Sequence, residues 1–316
     1  MKLQSFRMMM FVLIGVLCLG VSSVYAKTAE EYKYSCDINF KKRNFSQAIS
    51  DCTKAIEINP NYAAAYSIRG AAYNSQGNFF QAISDCTRAI EINPNIADAY
   101  YNRAAAYSSQ GNFSQAIFDC NKAIRINSNY AAAYSTRAAA YSSQRNFSQA
   151  ISDYTRAIEI NPNIANVYYN RAAVYSSQKK FSQAISDYTT AIEIDPNYVA
   201  AYSARGAAYN SQGNFSQAIS DCTRAIEINP NIAEVYYNRG AAYRSQGNFS
   251  QAISDYTKAI EINPGFARAY HSRGFTYYMT KEYDKAWAGM HKAEELGLAV
   301  NSDFLAVLQK ASGRNK

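Results

Sequence analysis

The chain has 316 residues, 48% of them hydrophobic, a composition that excludes an intrinsically disordered protein. Its formal net charge is +8, but the charged residues are spread along the chain, which does not favour a nucleic-acid-binding protein. A globular chain of this length would form about two domains, an expectation that an internal repeat overrides.

Residues 1–26 predict a secretory signal peptide. Lys2 and Arg7 precede the apolar run 8–21, and small residues lead to a cleavage site after Ala26. The apolar run is short for a membrane span, although an uncleaved N-terminal anchor stays open as an alternative. Cleavage would reduce the net charge to +6 and leave no membrane span. We therefore expect export, to a bacterial periplasm or out of the cell.

Residues 27–300 contain eight abutting copies of a 34-residue sequence. A fixed period of this length indicates a solenoid, in which each unit buries its apolar face against its neighbours. The eight units are 29–62, 63–96, 97–130, 131–164, 165–198, 199–232, 233–266 and 267–300.

Each unit is predicted to form two antiparallel helices. When positions are numbered from the first residue of each unit, core-type residues recur at 4, 8 and 11 and again at 20, 24 and 27, one face of each helix. In the second unit the turn signal Gln76-Gly77-Asn78 separates the two stripes, and Pro94 ends the second helix. Small residues at positions 8, 20 and 27 would let the two backbones approach closely.

These positions resemble the tetratricopeptide repeat family. Tyr at 4, Gly or Ala at 8, Tyr at 11, Ala at 20, Tyr or Cys at 24, Ala at 27 and Pro at 32 recur in register along residues 29–300. The resemblance implies an all-α, right-handed superhelical solenoid whose first helices line a concave, protein-binding groove. The departures include Cys36 and Asn39 in the first unit and Ser128 in place of proline in the third.

Residues 301–316 depart from the repeat. Ser302 is predicted to cap a short helix that contains Phe304 and Leu308 and ends at Gly313. We expect this segment to be a C-terminal capping helix that shields the last unit from water.

Position 7 is Arg in seven units and position 23 is Asp in seven units, a set that we call the ladder. The Arg set lacks the first unit and the Asp set lacks the last, an offset that predicts pairing across unit boundaries, Asp51 with Arg69 and Asp85 with Arg103. Such partly buried pairs would fix the register between units, whereas the alternative is an anion-binding row of arginines. The ladder comprises Arg69, Arg103, Arg137, Arg171, Arg205, Arg239, Arg273, Asp51, Asp85, Asp119, Asp153, Asp187, Asp221 and Asp255.

The cysteines at position 24 are predicted to fill the core, because tyrosine replaces them in other units. Cys36, at position 8 of the first unit, faces Cys52 at position 24, since the turn lies about midway between them in the sequence. An oxidising compartment would allow this pair to form a disulfide, which would stabilise the terminal unit by up to about 3 kcal/mol.

The predicted peptide-binding residues alternate between units. The third, fifth and seventh units have Tyr-Tyr-Asn at positions 4–6, whereas the second, fourth and sixth have Ser at position 5. Asn amides can bind an extended peptide backbone and Tyr rings add contact area, although repeat drift is an alternative explanation. The candidate groove residues are Asn102, Asn170, Asn238, Tyr101, Tyr169, Tyr237, Ser67, Ser135 and Ser203.

No catalytic motif or metal-ligand spacing is present in the sequence. We therefore expect a non-catalytic scaffold, without cofactor or metal, that binds a protein or peptide in the groove. The alternative is an accessory subunit of an envelope-assembly or glycan-processing enzyme complex, bound through the ends or outer face of the solenoid.

Overall fold

A computed structural model describes residues 27–313. The predicted signal peptide, residues 1–26, lies outside the described residues. The described chain is all-α and consists of helical hairpins, as predicted. It divides into two compact parts, which we call unit 1, ending at Thr136, and unit 2, beginning at Arg137. From here on, a single 34-residue repeat is called a copy.

Each 34-residue copy consists of a first and a second helix. The helices of the first four copies are α1 (Ala29–Lys41), α2 (Phe45–Ile58), α3 (Ala63–Ser75), α4 (Phe79–Ile92), α5 (Ala97–Ser109), α6 (Phe113–Ile126), α7 (Ala131–Ser143) and α8 (Phe147–Ile160). Those that follow are α9 (Ala165–Ser177), α10 (Phe181–Ile194), α11 (Val199–Ser211), α12 (Phe215–Ile228), α13 (Ala233–Ser245), α14 (Phe249–Ile262), α15 (Ala267–Met279), α16 (Tyr283–Glu295) and α17 (Ser302–Ser312).

The turn inside each hairpin depends on a left-handed residue at position 15. Glycine occupies this position in four copies, for example Gly77 with φ of 78°. Arg43, Arg145, Lys179 and Lys281 adopt the same conformation with φ between 60° and 63°. A left-handed residue here stops the first helix and reverses the chain, so the two helices lie antiparallel.

The turn between copies is built around an asparagine or aspartate at position 31. Its side-chain oxygen accepts a hydrogen bond from the backbone N–H two residues later, at 3.1 Å for Asn59 and Asn61. The third copy keeps this bond between Asn127 and Asn129 at 3.0 Å, although Ser128 replaces the proline. The side-chain bond therefore supports the turn without proline.

The core of each hairpin is formed by position 8 of the first helix against position 24 of the second. Cys86 is fully buried, and a Cβ at Gly70 would lie 2.6 Å from its Sγ. Tyr154, Tyr188 and Tyr256 occupy position 24 in other copies and are also buried. The prediction that position-24 residues fill the core agrees with this burial.

Successive first helices contact one another directly: α3 contacts α5, and α11 contacts α13. The second helices contact first helices instead. Within each unit, the first helices therefore form the more closely packed side, and this is the side on which the predicted groove residues lie.

The last helix, α17, packs on the eighth copy. Leu308 is fully buried against Met290, and the ring of Phe304 lies 5.2 Å from that of Phe275. The predicted cap residue was wrong by one position: Asn301, not Ser302, accepts hydrogen bonds from the first backbone N–H groups of the helix. Its side-chain oxygen lies outside the first turn, where it can reach those donors.

Candidate functional site

The ladder pairs lie within single hairpins. Arg69 Nε and Nη2 donate to the two carboxylate oxygens of Asp85 at 2.7 and 2.8 Å. The predicted pairing of Asp51 with Arg69, and of each later Asp with the next copy's Arg, was therefore wrong. Positions 7 and 23 are about equally far from the turn, so antiparallel helices bring them together within one copy. The pairs are Arg69–Asp85, Arg103–Asp119, Arg137–Asp153, Arg171–Asp187, Arg205–Asp221 and Arg239–Asp255.

The link between copies uses threonine instead of aspartate. Arg69 Nη1 donates to Thr53 Oγ1 of the preceding copy at 3.0 Å, and Arg273, which has Gly289 at position 23 of its own copy, donates to Thr257 at 3.0 Å. Hydrogen bonding to Asp85 raises the pKa of Arg69 above its ordinary value. Because these guanidinium groups have internal partners, the ladder has the contacts of a structural element and not those of a free anion-binding row.

The first copy satisfies its position-23 aspartate differently. Asp51 accepts hydrogen bonds from Ser35, Gln47 and Asn39 at 2.7, 2.8 and 2.9 Å. Burial would raise the pKa of Asp51, but these three hydrogen bonds together lower it below the ordinary value. The departures of the first copy at positions 7 and 11 therefore supply neutral donors where the arginine is missing.

A disulfide joins Cys36 and Cys52, whose Cα atoms are 5.4 Å apart. Both residues are fully buried and occupy the facing positions 8 and 24 of the first copy. Among the described residues, Cys86, Cys120 and Cys222 are buried and are not part of a disulfide. Burial raises the pKa of the Cys86 and Cys222 thiols to about 12, so they are protonated at neutral pH and poor nucleophiles.

The groove asparagines bond to the serines of the preceding copy. Asn102 Nδ2 donates to the carbonyl oxygen of Ser67 at 3.2 Å, and Asn238 Nδ2 donates to Ser203 Oγ at 3.1 Å. Ser67 is only 3% exposed. The alternation of Ser and Asn along the sequence thus corresponds to contacts between first helices, and Ser67 is too buried to touch a ligand.

The remaining serine and asparagine of this alternation, Ser135 and Asn170, are divided between unit 1 and unit 2. Ser135 is half-buried on the part of α7 that belongs to unit 1, and Asn170 is half-buried on α9 in unit 2.

The groove tyrosines are half-buried and packed against aromatic rings at position 34. The ring centroids are 5.1 Å apart for Tyr101 and Tyr130 and 5.2 Å for Tyr169 and Tyr198. Tyr237 packs in the same way on Phe266 at 5.1 Å. Copies with Ser at position 5 have Ile at position 34. The alternation therefore pairs a large side chain at position 5 with an aromatic ring at position 34, and a small side chain at position 5 with the smaller Ile.

A shallow pocket of about 320 Å³ opens between α11 and α13 on the first-helix side of unit 2. It brings together Tyr169, Ser203 and Asn238 from the predicted set. We call this site the α11–α13 pocket. Its remaining lining residues are mostly apolar and are Val199, Ala200, Ala204, Ile232, Glu234 and Val235.

An ion pair that sequence reasoning missed borders this pocket. Arg268 Nη2 lies 3.2 Å from both carboxylate oxygens of Glu234, and the guanidinium lies over the rings of Tyr237 and Phe266 at 5.4 and 5.3 Å. Both charges occupy position 2 of successive first helices, a coincidence that the 34-residue register could have revealed. The pair places adjacent positive and negative charge beside an apolar pocket.

Within residues 27–313, no group of three or more His, Cys, Asp or Glu side chains is placed to bind a metal ion. In the same range, none of the helices combines the length and the apolar character that a membrane crossing requires.

Comparison with known proteins identifies the repeat. The tetratricopeptide repeat pattern matches six consecutive segments, residues 63–96, 97–130, 131–164, 165–198, 199–232 and 233–266. A second pattern of the same name matches residues 255–288. The boundaries of the six matches coincide with units inferred from the sequence. No curated protein matches the chain.

Solved structures with the same architecture include YrrB, a TPR protein with an unusual peptide-binding site. It is 26% identical, with a TM-score of 0.52, over 60% of this chain and 97% of YrrB. A chain of the APC/C hetero-tetramer Cut9–Hcn1 is 17% identical with a TM-score of 0.63, over 87% of this chain and 54% of that chain. PilF of Pseudomonas aeruginosa is 19% identical with a TM-score of 0.59, over 67% of this chain and 97% of PilF. The last two similarities concern the fold alone.

Proposed function

Because the chain belongs to the tetratricopeptide repeat family, we propose that it is an exported, non-catalytic scaffold that binds an extended segment of a partner protein. The binding site is the first-helix side of unit 2, centred on the α11–α13 pocket. The observation that supports this site is an apolar depression with polar groups at its wall, the general form of a specific ligand site.

The pocket has the chemistry to bind an aliphatic side chain and the peptide group beside it. Val199, Ile232 and Val235 supply apolar contact area. Asn238 uses one amide N–H on Ser203, and its Oδ1 makes no hydrogen bond within the described residues. That oxygen can accept a backbone N–H from a peptide, while the bond to Ser203 fixes the orientation of the amide.

The similarity to YrrB supports a peptide ligand, because that protein has a peptide-binding site and is 26% identical over most of its length. Export is supported by the composition of residues 1–26 and by the Cys36–Cys52 disulfide, since structural disulfides persist mainly in oxidising compartments. Both features support the proposed periplasmic or secreted location.

Replacing Ala200 with Trp tests the pocket directly. Ala200 lines the pocket and is exposed, so the indole would fill the depression without touching the bond between Asn238 and Ser203. We expect the variant to lose at least about tenfold in affinity for peptides selected from a random extended-peptide library against the full chain. Changing Asn238 itself is a poorer test, because it also breaks a contact between helices.

The matched control is Ala64→Trp, which places the same ring at position 2 of a first helix in unit 1. Equal loss in both variants, or no loss in either, would refute the α11–α13 pocket as the binding site. Export is tested separately by fractionating cells that express the chain with and without residues 1–26. A chain recovered only from the cytoplasm, with Cys36 and Cys52 reduced, would contradict the proposed location.

A further inference from the structure

Helix α6 departs from the repeat on one face. Second helices of the neighbouring copies have Ser at position 22 and Glu at position 29, whereas α6 has Phe118 and Arg125 there and Lys122 at position 26. These three residues follow the spacing i, i+4 and i+7, so they lie on the same side of the helix. We call them the α6 patch.

The α6 patch is open to solvent. The side chain of Phe118 is 57% exposed, and Arg125 is exposed without an ion pair in the described residues. The Lys122 ammonium lies 5.2 Å from the Phe118 ring centroid. An exposed phenyl ring bordered by two cations is therefore the surface that α6 presents.

Other second helices neutralise the same positions internally. Arg88 pairs with Glu91 at 3.1 Å on α4, and Lys258 pairs with Glu261 at 3.0 Å on α14. Since Arg125 replaces the glutamate in α6, no such pair can form there and two positive charges are left uncompensated. Phe118 in place of Ser therefore exposes apolar area on this face, and Arg125 in place of Glu leaves the face with a local excess of positive charge.

The surroundings of Phe118 suit a single inserted side chain. The ring forms one wall of a shallow cleft of about 340 Å³, whose other lining residues include Tyr107 and Gln115. The preceding second helix carries a further exposed aromatic residue, Phe80, which is 81% exposed where most other copies have Ser.

We propose that the α6 patch is a docking surface for an acidic segment of a partner protein. An apolar side chain of that segment packs on Phe118 in the cleft, and flanking carboxylates pair with Lys122 and Arg125. A protein partner is favoured over an anionic membrane surface, because membrane binding through basic residues uses clusters of roughly four to eight Lys or Arg, and this patch has two. The surface lies on a second helix of unit 1 and does not depend on the α11–α13 pocket.

The test uses the full chain and two fluorescein-labelled peptides, one with a central Leu flanked by Asp and Glu and one with the same Leu flanked by Lys. Fluorescence anisotropy should show saturable binding of the acidic peptide alone. The double variant Phe118→Ser, Arg125→Glu should weaken it by at least about tenfold, because it removes both the ring contact and a charge pair. That variant gives α6 the surface residues of α14, which are already accommodated by this fold.

Arg224→Glu on α12 is the charge-matched control, because it changes the net charge by the same amount as Arg125→Glu. It should leave binding unchanged. Conversely, Ser254→Phe with Glu261→Arg, beside Lys258 on α14, should create a second patch and raise the peptide stoichiometry from about one to about two, if the patch alone determines binding.

Three outcomes would overturn the proposal. One is no binding of the acidic peptide by the wild-type chain. Another is equal weakening by Arg224→Glu, which would assign the effect to net charge. The last is Phe118-dependent binding to phosphatidylglycerol–phosphatidylcholine vesicles without peptide binding, which would assign the patch to a membrane surface.

Discussion

The first and third repeats bury the same aspartate with different partners. In the third repeat Asp119, 1% exposed, accepts two hydrogen bonds from Arg103 at 2.7 and 2.8 Å. In the first repeat Asp51, 5% exposed, accepts its bonds from three neutral side chains. A buried carboxylate must have its hydrogen bonds satisfied, but its partner need not be charged.

The difference follows from what else the arginine does. Arg103 also donates to Thr87 of the second repeat at 3.0 Å, so one side chain joins two copies. Among the eight copies, the first has no preceding threonine to receive this bond. There the Cys36–Cys52 disulfide joins the two helices, at the facing positions 8 and 24. Interior repeats are thus linked through arginine, whereas the terminal hairpin is closed covalently.

The largest expected effect comes from breaking an interior pair. Arg103→Ala leaves the Asp119 carboxylate buried without its charged partner, and we expect a loss of about 4 kcal/mol in the free energy of unfolding. Urea unfolding followed by circular dichroism measures it. Adding Asp119→Ala should recover much of the loss, and a single variant as stable as the wild type would show that the ladder has no structural role.

Removing the disulfide should cost somewhat less and act locally. Cys36 and Cys52 are 16 residues apart, and closing a loop of this size contributes about 3 kcal/mol. We expect Cys36→Ala with Cys52→Ala to increase hydrogen exchange in α1 and α2 while α5 and α6 stay protected. Reduction of the wild-type chain should reproduce this pattern. Faster exchange throughout unit 1 would mean that the first hairpin does not unfold separately.

The neutral donors around Asp51 predict a pH dependence specific to the first repeat. The pKa of Asp51 is lower in the folded chain than its ordinary value of 3.8, so its ionised form stabilises the fold. This contribution is complete above that ordinary value and is lost as the pH falls through the folded-state pKa. We expect Asp51→Asn to cost about 1 kcal/mol at neutral pH, with the difference from wild type shrinking below pH about 4. Thermal melts of both proteins at several pH values measure this difference, and a gap that widens in acid would contradict it.

The smallest expected effect is at an exposed pair. Arg88 and Glu91 have side chains that are 48% and 57% exposed, so water screens their attraction. Arg88→Ala should leave the urea midpoint unchanged, in contrast to Arg103→Ala. A comparable loss in both variants would mean that burial does not distinguish the two kinds of pair.

The sequence predicted the Cys36–Cys52 contact but not the partner of Asp85, although the same geometry determines both. Positions 8 and 24 are equally far from the turn, and so are positions 7 and 23. The missing Arg in the first copy and the missing Asp in the last suggested pairing across copies. The structure places Arg69 and Asp85 on facing turns of one hairpin, and the boundary contact goes to Thr53.

The groove was only partly predictable for a similar reason. The alternation of Ser and Asn was visible in the sequence, but not that Asn102 and Asn238 donate to Ser67 and Ser203 of the preceding copy. The two partners are 35 residues apart, one more than the repeat period, so their contact depends on how successive first helices are offset. Side-chain spacing within one helix contains no information on that offset.

By itself, the sequence determined the helices, their turns and the period of 34, because these depend on local spacing and on residues such as Gly77 and Pro94 that restrict the backbone. The tertiary structure decided which side chains meet: the Arg–Asp pairs, the α11–α13 pocket and the Glu234–Arg268 pair beside it. These contacts depend on the distance and offset between packed helices, which small buried residues such as Ala82 and Gly70 set through packing.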